Sequence, residues 1–518
     1  MSFSAEIYPA GNKIAGWLYQ GAQGAPDRVL VHSIEQEKSI TWGQMAALSR
    51  RIGQYLAARG IAANDRVVLL SGNSIEHLAV YISVMAHGAT ICTIQVEMNA
   101  AHLGDILGSV GPKLILAESG VDSGGAESID LGTWQPGGGT GFFAEIAGLA
   151  DDLPPGPVHA GTDIASIFYT SGTTSKPKGI LCSFQDLCQS VEGTAAVFAL
   201  GRDDRILDYR SFNWMSAQTL SGLGALYTGA TLLLARKFSQ SRFFDWIERF
   251  GATIAAGNPT VINMLVNRPV DIAAAKLTAL RYITSSSAPL LVSDWEKFES
   301  LYVIPIVQGF GASETGWIAG GSETTRRIGS VGKPIPYQNV RIVDADGTPL
   351  GAGETGRIEI GDSGEKRERR FAYLGEDGAP QLSALGRLAT GDLGHLDGDG
   401  YLYVSGREKD LIIRGGINIS PVEIDDVLTG LAGIAEAAVI GIPDAIYGEE
   451  VIAYVVAEAG AELSPDDVIA QLAAALPEPK RPKAIHVRDR LPKTERGKLD
   501  RQALRDEWEA EFGGGQIS

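Results

Sequence analysis

The sequence predicts an α/β fold, with a large N-terminal domain of layered α/β sheets followed by a small α+β C-terminal domain. Three observations carry the prediction. At 518 residues the chain exceeds one ordinary core, so two or more domains are expected. Helical and strand patterns alternate between residues 40 and 94, as they do where parallel strands are covered by helices. Roughly the last hundred residues read β-α-β with further helices.

Taken in order, Met45, Leu48, Ile52 and Leu56 fall at helical spacing within residues 40–60, and Gly60 supplies a stop. Arg66 to Leu70 reads as a strand, about Ile75 to Ala86 as a helix, and Gly88 to Ile94 as a strand again. From Glu118 to Thr162 glycine and proline are frequent, so a surface excursion with short elements only is expected. Ile164 to Tyr169 is β-branched and aromatic and reads as a buried strand; about Gln185 to Phe198 is amphipathic. Ile206 to Leu220 carries Tyr209-Arg210-Ser211-Phe212-Asn213-Trp214 between a strand and a helix, and Val303 to Gly311 reads as one more strand. The tail, Gly513 to Ser518, is expected to be disordered.

A formal charge of −18, with no clustered Lys/Arg stripe, speaks against a nucleic-acid partner. It also repels polyanions at long range. Screening over about 8 Å in physiological salt lets Lys176 and Lys178 dominate locally. No apolar run is long enough for a membrane span, and the amino terminus lacks the basic-then-apolar order of a secretory signal, so a cytoplasmic protein is expected. Cys92, Cys182 and Cys188 show no metal-like spacing and are expected to be buried thiols. A homodimer is compatible with this composition.

Tyr169 to Gly179 concentrates five Ser/Thr hydroxyls and two lysines around Gly172, the donors and charge that a polyphosphate needs. It is not a Walker A loop, because Gly179 lies seven residues after Gly172 and is followed by Ile180. Composition alone fits a solvated turn equally well. Gln308-Gly309-Phe310-Gly311-Ala312-Ser313-Glu314-Thr315 is a weak dinucleotide signal, since Gly316 comes too late for G-x-G-x-x-G. Further on stand Thr390-Gly391-Asp392, Ser405-Gly406-Arg407-Glu408-Lys409-Asp410, Arg414-Gly415-Gly416 and Leu491-Pro492-Lys493-Thr494-Glu495-Arg496-Gly497-Lys498.

Together, and in this order along nearly the whole chain, these stretches resemble the acyl-adenylate-forming (ANL) superfamily, in its AMP-forming acid:CoA ligase branch. The resemblance implies that carboxylate and ATP give acyl-AMP and pyrophosphate, and that the thiol of coenzyme A then gives acyl-CoA and AMP. It makes Thr170, Ser171, Gly172, Thr173, Thr174 and Lys178 the phosphate site. Ser287, Ala288, Pro289, Gly309, Phe310, Gly311, Ala312, Ser313, Asp392 and Arg407 become the AMP site, with the last two on the ribose. Glu314 holds Mg²⁺, and Thr174, Glu314 and Lys498 are catalytic; Lys498 bridges the carboxylate oxygen and the α-phosphate. Phe212, Asn213, Trp214, Gln218 and Trp317 border the acyl pocket, and Gly415 and Gly416 line the CoA passage. Lys409 is the hinge between an ATP- and acid-binding domain at 1–408 and a mobile lid domain at 409–518.

The chain departs from the family pattern at Ser175, where glycine is usual, at Phe310 and Ser313, which stand for Tyr and Thr, and at Gln95-Val96-Glu97-Met98, where many members are proline-rich. The alternative is an adenylation enzyme that loads an aryl or amino acid onto a carrier protein; Asn213 speaks against the amino-acid version, since it cannot supply the charge with which an aspartate there pairs an α-ammonium. A non-catalytic nucleotide sensor is an alternative of another class. Two indoles, Trp214 and Trp317, imply a short or compact acid and admit a carnitine- or betaine-like one through cation–π attraction.

Overall fold

The computed structural model describes residues 11–152, 156, 159–170, 178–272, 274–361, 372–382, 387–494 and 498–512. The phosphate-site residues Ser171, Gly172, Thr173 and Thr174, with Ser175 and Lys176, lie outside them, as does the tail from Gly513.

Two large sheets form the amino-terminal part. In the seven-stranded sheet the strands run in the spatial order Ile306–Gln308, Tyr282–Ser285, Ile254–Ala255, Arg205–Asp208, Thr231–Leu234, Val29–Ser33, Lys38–Thr41, all parallel except the last. The eight-stranded sheet runs Pro380–Leu382, Ala372–Leu374, Lys178–Ser183, Ile164–Thr170, Thr90–Ile94, Arg66–Leu70, Leu114–Ala117, Ile129–Asp130. Its first four strands are antiparallel to one another, and from Ile164–Thr170 onward each strand is parallel to the next. The Trp42–Ala58 helix starts at a capping box, in which Thr41 and Gln44 satisfy each other's backbone N–H groups. Ile75–His87 ends at Gly88, whose φ of 100° takes it out of the strand expected there; that strand is Thr90–Ile94.

Two expectations are corrected. The described residues of 118–162 do carry only short elements, but they are not all on the surface: Leu131, Trp134, Phe142, Phe143 and Ile146 are buried in the main core. The apolar weight of those five side chains outweighs the glycine-rich composition around them. Val303 to Gly311 is not one strand. Val303 ends the Val292–Tyr302 helix in left-handed backbone, Ile306–Gln308 belongs to the seven-stranded sheet, and Phe310–Ala312 pairs with Gly316–Gly320 in another.

A four-stranded antiparallel sheet, Asn339–Val343, Gly356–Gly361, Arg387–Leu396, Leu402–Arg407, closes the amino-terminal part. After a 3₁₀ turn at Glu408–Asp410 the chain builds a separate five-stranded sheet. Ile424, Leu428 and Leu472 cover one face of it, and Leu504 and Trp508 the other. Cys92, Cys182 and Cys188 are buried thiols, and burial pushes Cys92 and Cys188 up to about 12. No helix among the described residues is long and apolar enough to cross a membrane.

Candidate active site

The two large sheets meet where the Arg66–Leu70 and Arg205–Asp208 strands end, a position at which open α/β sheets bind ligands. Asn73 stitches the two ends together: its amide nitrogen donates to the carbonyls of Arg210 (2.8 Å) and Ala235 (3.0 Å), and its oxygen accepts from the Phe212 N–H (2.9 Å). Beneath this loop Arg210 is buried against Asp208, Nη2 to Oδ2 at 2.7 Å, and Ser221 Oγ donates to the same carboxylate at 2.5 Å. The loop is therefore rigid.

Of the residues expected at the acyl pocket, Phe212 is fully buried, and Gln218 is spent on structure. Tyr81 donates to Gln218 Oε1 at 2.8 Å, and its Nε2 donates to the Phe212 carbonyl and Thr93 Oγ1. Trp317 is buried edge-on to Phe198 and donates from Nε1 to Thr219 Oγ1 at 3.0 Å. Trp214 is half-buried. Asn213 donates from Nδ2 to the Ser71 carbonyl at 3.1 Å, which fixes the amide and leaves Oδ1 buried without a partner. Gln218–Gly222 is a π-helical turn, a distortion that gathers at functional sites.

On the nucleotide side, Ser287 follows the Tyr282–Ser285 strand at φ 75°, left-handed backbone that a serine adopts at a cost; Ser287 and Pro289 are exposed and Ala288 is half-buried. Gly309 tolerates no side chain, since a Cβ there would stand 2.5 Å from the Trp317 ring. The half-buried Phe310, Ala312 and Ser313 and the exposed Gly311 lie in the hairpin that follows, with Glu314 half-buried in its turn. Glu314 accepts a hydrogen bond from Tyr373, whose hydroxyl is pushed up by burial and then by that carboxylate. Tyr373 sits on the Ala372–Leu374 strand, paired to the strand that starts at Lys178, so it ties Glu314 to the exit of the phosphate loop. Sequence reasoning missed Tyr373, which no motif marks. Thr170 and the exposed Lys178 face each other in register at the mouth of that loop.

Asp392 and Arg407 are cross-strand neighbours, Nε to Oδ1 at 3.1 Å. Burial raises the Asp392 carboxyl above its ordinary value, opposed by the charges of Arg407 and then of Lys498. The Lys498 ammonium thus lies within electrostatic reach of Asp392. The Lys498 backbone carbonyl accepts from the Thr494 N–H at 2.7 Å, and Lys493 pairs with Leu499 in an antiparallel bridge. Gly415 (φ 56°) and Gly416 (φ 82°) form the two-residue turn between Ile412–Arg414 and Ile417–Ile419, a conformation that demands glycine. Lys409 is exposed in the 3₁₀ turn. Among the described residues no group of three or more His, Cys, Asp or Glu could by itself hold a metal. A lone carboxylate such as Glu314 suits Mg²⁺, which takes most of its ligands from phosphate and water.

Stacked α/β sheets, a β-rich spacer and a small α+β unit carrying a lysine back to the spacer define an adenylating enzyme by class. The chain belongs to the AMP-binding enzyme family: that family model matches residues 18–364, and the model of the AMP-binding enzyme C-terminal domain matches 423–498. A sulfoacetate–CoA ligase of Cupriavidus necator is 29% identical over 487 residues, 92% of this chain and 94% of that one. An indoleacetate–CoA ligase of Aromatoleum aromaticum is 30% identical, covering 95% and 98%. Among solved structures, ATP-bound MatB from Rhodopseudomonas palustris superposes with a TM-score of 0.83 at 24% identity, over 96% of this chain and 99% of that one. The o-succinylbenzoate CoA synthetase of Bacillus subtilis with its acyl-adenylate does so with 0.78 at 26%, over 95% and 98%. The protein is an AMP-forming acid–thiol ligase of the ANL superfamily that uses ATP and coenzyme A, with Mg²⁺ as is typical of the family. The reading as a non-catalytic sensor is thereby set aside.

Proposed function

We propose that this chain joins a short or compact carboxylic acid to coenzyme A at a site built from the residue 170–178 loop, Glu314, Asp392, Arg407 and Lys498. The observation that carries the proposal is the Asp392–Arg407 pair, joined across adjacent strands with Nε to Oδ1 at 3.1 Å, with the Lys498 ammonium within electrostatic reach of the same carboxylate. Asp392 and Arg407 orient the sugar. Lys498 then stands where a carboxylate oxygen attacks the α-phosphorus in line, one O–P bond forming as the bond to pyrophosphate breaks. Magnesium, held at Glu314, would neutralise phosphate charge, and the phosphate loop supplies further donors. In the second step the CoA sulfur bonds to the acyl carbon and AMP leaves. Gly415 and Gly416, without side chains, admit the pantetheine arm, and Lys409 marks the hinge about which residues 409–518 turn between the steps. Cytoplasmic residence fits the three reduced thiols.

The compact substrate is argued from volume. Trp317 and Phe198 fill the wall behind Gly309, and the half-buried Trp214 stands in the loop after the Arg205–Asp208 strand. The relatives act on acids as different as sulfoacetate and indoleacetate, so their names do not choose among acids. A carnitine-like acid has no support beyond the two indoles. Pyrophosphate release across straight, branched, aromatic and betaine-like acids tests this reading. Rates should peak among compact acids; efficient turnover of palmitate with little activity on acids of under about six carbons would overturn it.

A further inference from the structure

The Val292–Tyr302 helix begins without a cap of its own. Its N-cap position is Leu291, whose side chain has no acceptor. The missing acceptor comes from the carboxy-terminal unit: Asp426, on the Pro421–Gly430 helix, accepts from the Ser293 N–H at 3.0 Å and from Ser293 Oγ at 3.0 Å. The favour is returned one turn later. Lys297 Nζ donates to the Thr429 carbonyl at 2.8 Å, in the last turn of the Pro421–Gly430 helix, and Ser293 Oγ lies 2.8 Å from Thr429 Oγ1. A carboxylate thus meets the positive end of one helix and an ammonium the negative end of the other, the signs that both helix dipoles favour. Asn267, from the neighbouring Pro259–Asn267 helix, adds a bond to the Ala435 carbonyl at 3.3 Å. These contacts are polar, so water can replace each of them when the two parts separate.

We propose that this reciprocal clasp of helix ends holds the carboxy-terminal unit in its present pose against the Val292–Tyr302 helix, which makes Asp426, Ser293 and Lys297 positioning residues for adenylation but not for thioester formation. The inference rests on the two-step reading above and on rotation between the steps. A contact that forms only in one pose lowers the energy of that pose alone, so its loss slows the half-reaction run there. Because the Val292–Tyr302 helix has no cap in its own domain, leaving the pose uncaps it, and the pose is favoured by that amount.

The test separates the half-reactions: exchange of labelled pyrophosphate into ATP with the best acid, and acyl-CoA formation from supplied acyl-AMP. Asp426→Ala and Lys297→Met should each lower exchange by about tenfold, the loss expected of one helix-end contact. Acyl-CoA formation from supplied acyl-AMP should stay within about twofold of the wild type. Asp426→Asn, whose Oδ1 still accepts, should recover most of the exchange. Adding Leu291→Ser to Asp426→Ala gives the helix a cap within its own domain and should restore thermal stability without restoring exchange. If Asp426→Ala does not fold, Lys297→Met reads the same clasp from the other helix. Equal loss of both half-reactions, or unchanged exchange in both variants beside a normal wild type, overturns the clasp alone. Absence of exchange in the wild type with every acid overturns the ligase reading and the clasp with it.

Discussion

An ammonium is worth most where negative charge accumulates in a site shielded from water, and the Lys498 ammonium lies within electrostatic reach of the buried Asp392. Lys498→Ala should cut pyrophosphate exchange by about 10²–10³ while leaving thioester formation from supplied acyl-AMP largely intact. Equal loss of both would make Lys498 a structural residue. At this scale the sequence is readable where a residue type has one physical use: Gly415 and Gly416 occupy the positive-φ turn that only glycine fills easily, and Asp392 faces Arg407 across a ladder. It is not readable where a residue acts through a distant partner. Nothing around Tyr373 announces its bond to Glu314, and nothing around Gln218 shows that Tyr81 and Thr93 use up its amide.

Between elements, the Arg66–Leu70 strand and the Trp42–Ala58 helix fall where the pattern puts them, because the helix buries one regular face and the strand, a short continuous apolar run, is buried on both. The segment from Leu131 to Ile146 and the break at Gly309 do not, because tertiary packing against Trp317 and the main core decides them. The seam between the Val292–Tyr302 and Pro421–Gly430 helices also contains Asp294, which is buried there. Desolvation pushes its carboxyl up to about 6; Asn263 and Lys297 oppose the rise, and Asp426 and Glu436 add to it. A carboxyl with a raised folded pKa favours folding most at low pH, and that contribution is lost as pH rises from about 4 through about 6. Asp294→Asn removes the titration. Its Tm relative to the wild type should therefore rise between about pH 4.5 and pH 7, by an amount corresponding to about 2 kcal/mol. Parallel Tm curves would show that Asp294 does not titrate in that window.

At the scale of the whole molecule, the two parts have separate cores and touch through polar helix ends, which suits a unit that docks and leaves. The order of the motifs made the family legible along nearly the whole chain; which pose the carboxy-terminal unit takes was not legible, because it depends on contacts such as Ser293 to Asp426 that span the two parts. One chain is expected to run adenylation and thioester formation as separable steps. The direct measurement is a single turnover with ATP, Mg²⁺ and the best acid, first without coenzyme A and then with it. About one pyrophosphate and one bound acyl-AMP per chain should form before coenzyme A is added, and acyl-CoA and AMP in equal amounts afterwards. Release of ADP and phosphate, or no pyrophosphate until coenzyme A is present, would contradict it.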